Sequence, residues 1–434
     1  MTEHVGGDDM RIKVDTLATE LEKLISDNVS MAPQHSPCIF RVPNILSRHK
    51  PEAYAPYAFS FGPFHYAKSH LQATQKIKLR YLHELTSRFP DPKGKLMELT
   101  AVIIEVQNEA RECYEGSIDM NMDEFVKVLV LDGCFLIELF CKCMYINLNK
   151  KDDPIVGANC MTTILFHDLI LLENQIPWLV LECLFEMSIT PQINVSLITL
   201  VTNFFHNLVS REVELFCHEI LSHEHKHILD LLRNSLVLPS AIAKQKRDSN
   251  MECNNWLLIP STTSLQEAGI KLKAATTSPV SSILDIKFKD GVLEIPQIIV
   301  QDLTEPLFRN LICLEQCLPC YGEVISSYMA LLDYLINTPK DMEVFIKNEI
   351  IENFVDIEDA TIFFNQIFND VNVEHFYYFD LVKEVNKYYR RSWPRYRRVL
   401  IHDYFKHPWA VVSVLAASIL LILTFLQTLF AIIK

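Results

Sequence analysis

The chain has 434 residues, of which 49% are hydrophobic. This is enough for one large or two ordinary folded domains, and it excludes a largely disordered chain. The formal charge is −14, but residues 386–434 carry eight basic residues and one acidic residue, which leaves −21 for residues 1–385. Such an acidic body argues against general binding to nucleic acid.

The first 35 residues are predicted to form an amphipathic helix followed by a loop. Apolar side chains recur there at helical spacing, at Val14, Leu17, Leu21, Leu24 and Ile25. A proline-marked loop follows at 32–37. The N-terminus has no apolar core of the kind found in signal peptides, so the body is expected in the cytosol.

Residues 36–385 are predicted to form a mainly α-helical body of many helices. The apolar content is nearly continuous over 123–140 and 161–185, so these helices should be buried on most sides and make the core. Polar stretches near 244–255 and 274–282 are predicted loops. Between them, residues 265–273 resemble the end of a short helix.

Four carboxylates lie inside apolar helical patterns, at Asp132, Glu138, Asp168 and Glu173. Buried acids need partners, so they are either an acid–base pair or a hydrogen-bonded structural network. The structural network is favoured, because no nucleophile or metal motif accompanies them. Asn174 and Gln175 follow Glu173 in the run LENQIP, and the chain is expected to turn just before Pro177.

One β-hairpin is predicted at about residues 283–299. Asp290-Gly291 favours a tight turn, and pairing Lys289 with Val292 places Phe288 opposite Leu293. The same register places Lys287 opposite Glu294, and Ile286 opposite Ile295. One face is then apolar and the other charged, as expected for a hairpin packed on helices.

Two groups of candidate metal ligands stand out, and neither is strong. His223 and His227 are four residues apart, a spacing that would share one helix face, but no third ligand is evident and a solvated helix surface is preferred. Cys313, Cys317 and Cys320 have a spacing also used for iron–sulfur clusters, yet they lie along the helical run LFRNLICLEQCLPC and not in a loop. The other cysteines suit reduced, buried thiols. No metal or cofactor is predicted.

No catalytic signature of the hydrolases, zincins or nucleotide-binding enzymes is present. The sequence therefore predicts a protein that is not an enzyme, and that acts as an interaction or recognition module for an unidentified protein partner. The alternative is a membrane-bound enzyme that uses the buried carboxylates or the histidine-rich segment.

A single transmembrane helix is predicted at residues 408–433, which contain no charged residue and no histidine. At about 1.5 Å per residue, this stretch is long enough for a bilayer core of about 30 Å. The anchor is marked by Pro408, Trp409, Gln427 and Ile433.

A basic juxtamembrane helix is predicted at 386–407, and its collar consists of Arg390, Arg391, Arg395, Arg397, Arg398 and Lys406. Positive charge stays on the cytosolic side, so a tail-anchored, single-pass protein in the lipid bilayer is expected, in the plasma membrane or an endomembrane. With the opposite topology, the sequons at Asn28 and Asn194 would accept glycans.

Several segments together resemble the plant family of domain of unknown function 247. These segments are CIFRVPNILSRHKPEAYAPYAFSFGPFHYA, VLDGCFLIELF, LFHDLILLENQIPWLVLECLF, LDIKFKDGVLEIP, FRNLICLEQC and HDYFKHPWAVVSVLAASILLILTFLQT. The resemblance runs from about Cys38 to the C-terminus. In the motif near Ser60, Tyr66-Ala67 departs from the usual sequence of the family.

The resemblance implies a mainly helical body, a small β element and a C-terminal anchor. It also implies structural roles for the motif residues Asp132, Gly133, Glu173, Asn174, Gln175 and Pro177. Some members of the family are associated with self-incompatibility, which would make recognition the expected role.

Overall fold

The structure is a computed structural model that describes residues 6–29, 37–150, 152–157, 159–190, 193–206, 208, 218–240, 257–275, 282–390 and 408–433. Helices dominate these ranges and two small sheets accompany them, so the predicted mainly α-helical fold is confirmed.

The α-helices are α1 Gly6–Val29, α2 Asn44–Ser47, α3 Gln75–Thr86, α4 Pro92–Glu112, α5 Met122–Met144, α6 Asn159–Leu169, α7 Trp178–Ser188, α8 Leu197–Phe204, α9 His218–Leu221, α10 Ile228–Val237, α11 Thr262–Glu267, α12 Thr304–Cys317, α13 Val324–Leu335, α14 Pro339–Lys347, α15 Ile357–Gln366, α16 Phe379–Tyr389 and α17 Pro408–Ile433. Short 3-10 helices lie at Pro51–Tyr54, Ser69–Thr74, Ile146–Leu148 and Pro319–Tyr321.

Helix α5 is the centre of the N-terminal half. Its start is capped by Asn121, whose side chain accepts the backbone N–H of Glu124 at 2.9 Å. Helices α3, α4, α7 and α8 pack around it. At Gly133, a Cβ atom would lie 2.4 Å from Leu184 Cδ1, so any larger residue there would displace Leu184 of α7. The near-continuous apolar pattern of α5 reflects contacts on almost every side.

The strands are β1 Lys271–Ala274, β2 Lys287–Lys289, β3 Val292–Ile295, β4 Ile298–Val300 and β5 Ile351–Asn353. Strand β3 lies between β1, which is parallel to it, and β2, which is antiparallel. Strands β4 and β5 form a separate parallel pair.

The predicted hairpin register is confirmed for all three pairs that belong to strands. Lys287 pairs with Glu294, Phe288 with Leu293 and Lys289 with Val292. Asp290 and Gly291 have φ angles of 51° and 79°, which fits a turn whose two central residues both have positive φ. Beyond the hairpin, β1 adds a strand where the sequence suggested only a helix end. The helix there, α11, is shorter than expected.

The two terminal helices, α1 and α17, differ from the rest because their described side chains are exposed. The predicted apolar stripe of α1 is present, and its five members are between 51% and 59% exposed. Residues 391–407, which hold all of the predicted basic collar except Arg390, lie outside the described residues.

The predicted membrane span is contradicted. Searched over its described residues, the chain has no helix that is both long and apolar enough to cross a bilayer. The prediction of a single-pass, tail-anchored protein is therefore wrong, and so is the role of Pro408, Trp409, Gln427 and Ile433 as anchor residues.

Candidate functional site

The motif stretch from the end of α6 to Pro177, which contains the LENQIP run, binds the backbone of a distant segment, residues 57–62. Asp168, at the end of α6, accepts the N–H groups of Tyr57 at 2.7 Å, Ala58 at 2.9 Å and Phe59 at 2.7 Å. His167 Nδ1 lies 3.0 Å from the same carboxylate. Because Asp168 is fully buried, these N–H groups supply the hydrogen bonds that its charge needs.

Asn174 continues this backbone binding from the LENQIP run. Its Oδ1 accepts the N–H of Phe61 at 2.7 Å, and its Nδ2 donates to the carbonyl of Phe59 at 2.9 Å. Asp132 of α5 accepts the N–H of Gly62 at 3.0 Å. Three motif side chains, which are separated in sequence, thus hold one irregular segment in place.

Asp132 is also half of a buried ion pair. Its Oδ1 lies 2.5 Å from Lys78 Nζ of α3, and Lys78 donates in addition to the carbonyl of Ser60. Neither side chain is more than 2% exposed. Burial raises the pKa of Asp132, against the opposing charge of Lys78. The pair joins α3, α5 and the bound segment.

Glu173 and Gln175 tie the motif loop to other parts of the chain. Glu173 accepts the N–H of Val42 at 2.7 Å, and His65 Nε2 lies 3.2 Å from its other oxygen. Gln175 donates to carbonyls within the loop and accepts the N–H of Leu229 at 3.1 Å. Pro177 stands immediately before α7, as the predicted turn requires.

Glu138 lies apart from this group and pairs with Arg88. A neighbouring cluster was missed by sequence reasoning: Lys142 Nζ lies 2.5 Å from Glu84 and 2.6 Å from Asp153. The available signal was Lys142 itself, a lysine inside the otherwise apolar stretch of α5. Its partners could not be named from the sequence, because the Glu84 and Asp153 carboxylates lie on other segments.

The four predicted carboxylates are therefore held by cations or by backbone N–H groups, and none of them lines a described cavity of the molecule. Within the part of the chain that the structure describes, no group of three or more histidine, cysteine or acidic residues could hold a metal ion. Contacts of this kind favour a structural role for these acids and give no support to an acid–base pair.

The histidine-rich segment is not the predicted solvated helix surface. Helix α9 ends at Leu221 and α10 begins at Ile228, so His223 and His227 lie in the connection and do not share a helix face. His227 is buried at the start of α10, where its Nε2 lies 3.0 Å from the carbonyl of Cys38. The cysteines at 313, 317 and 320 progress from buried to exposed along α12 and the turn after it.

A surface groove lies beside the bound segment, and we call it the Tyr57 groove. It encloses about 470 Å³ and takes its walls from three separate stretches, residues 50–57, 300–306 and 355–366. A second cavity of about 440 Å³ shares Gln301 and Asp302 with it as a common wall. Strands β4 and β5 both end at these walls, since Phe354 N–H donates to the carbonyl of Val300.

The Tyr57 side chain is positioned by the motif contacts. Asp168 fixes its backbone N–H, and its ring stacks on the ring of His167, with 3.8 Å between centroids and 11° between planes. Tyr57 is nonetheless 54% exposed, and Ile362 on the facing helix α15 is 50% exposed. Sequence reasoning did not select these residues, although Tyr57 belongs to a segment that carries the family resemblance.

Comparison with known protein families assigns the chain to one of them. The family model described as a plant protein of unknown function, domain of unknown function 247, matches residues 39–423. The chain belongs to this family.

Two relatives from Arabidopsis thaliana are similar along most of their length. One is the UPF0481 protein At3g47200, 30% identical over an alignment of 431 positions that spans 93% of this chain and 88% of the relative. The other is the putative UPF0481 protein At3g02645, 21% identical over an alignment of 501 positions that spans 95% of this chain and 92% of the relative. No solved structure matches the chain.

Replacing Glu173 by alanine is expected to lower the free energy of unfolding by about 1 to 3 kcal/mol, because the N–H of Val42 loses its acceptor. Burial alone would raise the pKa of Glu173, but the contacts with His65 and Val42 outweigh it and lower the pKa. The stabilisation is therefore present above the ordinary carboxyl pKa and is lost as the pH falls through the lowered value.

Thermal melts of the variant and the parent, recorded between neutral and acid pH, measure this difference. Glu109→Ala, on the exposed face of α4, is the matched control and should melt like the parent. A Glu173→Ala protein that melts like the parent at neutral pH would remove Glu173 from the structural network.

Proposed function

We propose that this protein is a recognition module that binds a partner protein in the Tyr57 groove. The observation that carries the proposal is that the motif side chains hold residues 57–62 so that Tyr57 stands half exposed in the wall of a groove. If the motif contacts served only to stabilise the core, the ring of Tyr57 would not need to stand exposed beside a groove. Interaction sites commonly combine an exposed aromatic side chain with polar groups at the rim.

Two further features support a binding role. Exposed apolar side chains lie on both sides of the shared wall, Ile362 at the Tyr57 groove and Phe354, 60% exposed, at the second cavity. The walls also come from three parts of the chain, so the groove exists only in the folded body. A surface assembled in this way supports selective binding, because its shape depends on the whole fold.

Site-specific photo-crosslinking in plant cells tests the proposal. A photoreactive phenylalanine analogue replaces Ile362 in the full chain, and the matched control carries it in place of Met97, which is 65% exposed on α4. We expect a discrete crosslinked protein from position 362 that is absent from position 97. The same crosslink must disappear when Tyr57→Ala is added.

The proposal is overturned if position 362 gives no crosslink or gives the same products as position 97. Both replaced side chains are exposed and apolar, so a difference between them reports on the groove and not on folding.

A further inference from the structure

We infer that the Tyr57 groove recognises an arginine side chain in an apolar peptide segment of the partner, by stacking it on Tyr57 among carboxylates. This inference rests on the proposed function and specifies the chemistry of its partner.

The charge of the groove is the first observation. Four carboxylates line it, against a single lysine, Lys50. Lys50 already lies 3.7 Å from Glu52 and 3.5 Å from Glu305, and Glu305 also pairs with Arg309. Asp302 and Asp359 are exposed, and among the described residues no ion pair involves either of them. The groove therefore has a net negative charge that a cationic group would neutralise.

The stacking surface is the second and independent observation. The Tyr57 ring lies nearly parallel to the buried ring of His167, so one of its faces is covered while the residue remains half exposed. His167 Nε2, beneath it, has no hydrogen-bond partner in the described structure. Burial and then the negative charges of Asp168 and Glu52 raise the pKa of Tyr57, against a smaller opposing effect of Lys50. The ring therefore stands in a negative field.

An arginine fits both observations better than other cations. The guanidinium group is planar, so it stacks on a tyrosine ring and still donates hydrogen bonds to carboxylates at its edge. A lysine ammonium is more strongly hydrated and cannot stack in this way. Nucleic acid would be repelled by the same carboxylates. The exposed Ile362 gives the aliphatic part of the peptide a surface to contact.

Fluorescence anisotropy with three labelled peptides tests the inference. The peptides share a leucine- and glycine-containing frame and differ at two positions, which are arginine, lysine or citrulline. Citrulline keeps the planar shape of arginine without its charge. We expect the full chain to bind the arginine peptide about tenfold more tightly than the lysine or citrulline peptide. Only arginine can both stack on the tyrosine ring and pair its charge with the carboxylates, whereas lysine keeps only the charge and citrulline only the planar shape.

Two pairs of substitutions separate the groove from the general acidity of the body. Asp302→Asn with Asp359→Asn should weaken the arginine peptide about fivefold or more. Glu105→Gln with Glu109→Gln removes the same charge from the exposed face of α4 and should leave binding unchanged. Tyr57→Ala should abolish the preference for arginine over lysine. Because Asp302 precedes α12 and Asp359 lies in the first turn of α15, unchanged melting of the asparagine variant is checked first.

Equal binding of the arginine and citrulline peptides, or equal weakening by both pairs of substitutions, would overturn the arginine inference. If that happens while position 362 still crosslinks its partner, only the chemistry of the partner is wrong. If position 362 gives no crosslink, the recognition role fails whatever the peptides do.

Discussion

Replacing Asp132 by alanine is expected to lower the free energy of unfolding by about 3 to 5 kcal/mol, because it leaves the Lys78 ammonium charged and without its counterion inside the core. The same substitution also removes the acceptor of the Gly62 N–H. Urea denaturation followed by circular dichroism measures the loss as a lower midpoint.

The double variant Asp132→Leu with Lys78→Met is the informative control. It removes both charges and replaces them by apolar side chains, so it should recover the part of the loss that comes from the unpaired Lys78 charge, while the Gly62 N–H still lacks its acceptor. An Asp132→Ala protein as stable as the parent would show that Lys78 finds another partner or loses its proton, and that the ion pair does not hold α3 to α5.

Replacing Asp168 by alanine is expected to cost about 3 to 5 kcal/mol, since three backbone N–H groups lose one shared acceptor. The effect should also be local. Amide hydrogens of residues 57–59 should exchange faster than those of α5, and crosslinking from position 362 should fall because Tyr57 is no longer fixed.

Asp168→Asn separates these effects, because an asparagine keeps one acceptor oxygen and the shape of the side chain. It should retain part of the stability and part of the protection of residues 57–59. If hydrogen exchange at residues 57–59 is as slow in Asp168→Ala as in the parent, other contacts hold the segment and Asp168 does not position Tyr57.

Local patterns predicted the helical body and the hairpin well. The Asp290-Gly291 turn and the alternation around it are both contained in about ten residues, so the register could be predicted directly. Strand β5 could not, because three residues carry little pattern and its partner β4 lies 53 positions earlier in the chain. Likewise, Lys78 reads as a surface lysine of an amphipathic helix, and only the position of Asp132 in space explains its burial.

The candidate site was predicted in part. The four acids and LENQIP were selected for good reason, since charged groups in apolar helices need partners. The sequence did not show that three of the acids bind backbone N–H groups of residue 42 and of the segment 57–62, or that Glu138 pairs with Arg88. The Tyr57 groove was not predicted at all. Two of its walls lie about 250 and 300 residues after the first wall in the chain, and no local pattern marks such a surface.

The contacts of the N-terminal segment also limit how early this segment can fold during synthesis. The carbonyl of Ala53 accepts from Asn310, a residue 257 positions later. At about 5 to 20 residues per second, Asn310 is added roughly 13 to 50 seconds after Ala53. During that interval Ala53 and Tyr54, which end up buried in the 3-10 helix that packs on α12, have no α12 to pack against. This protein should therefore depend on chaperones at the ribosome more than a domain of the same size built from local contacts.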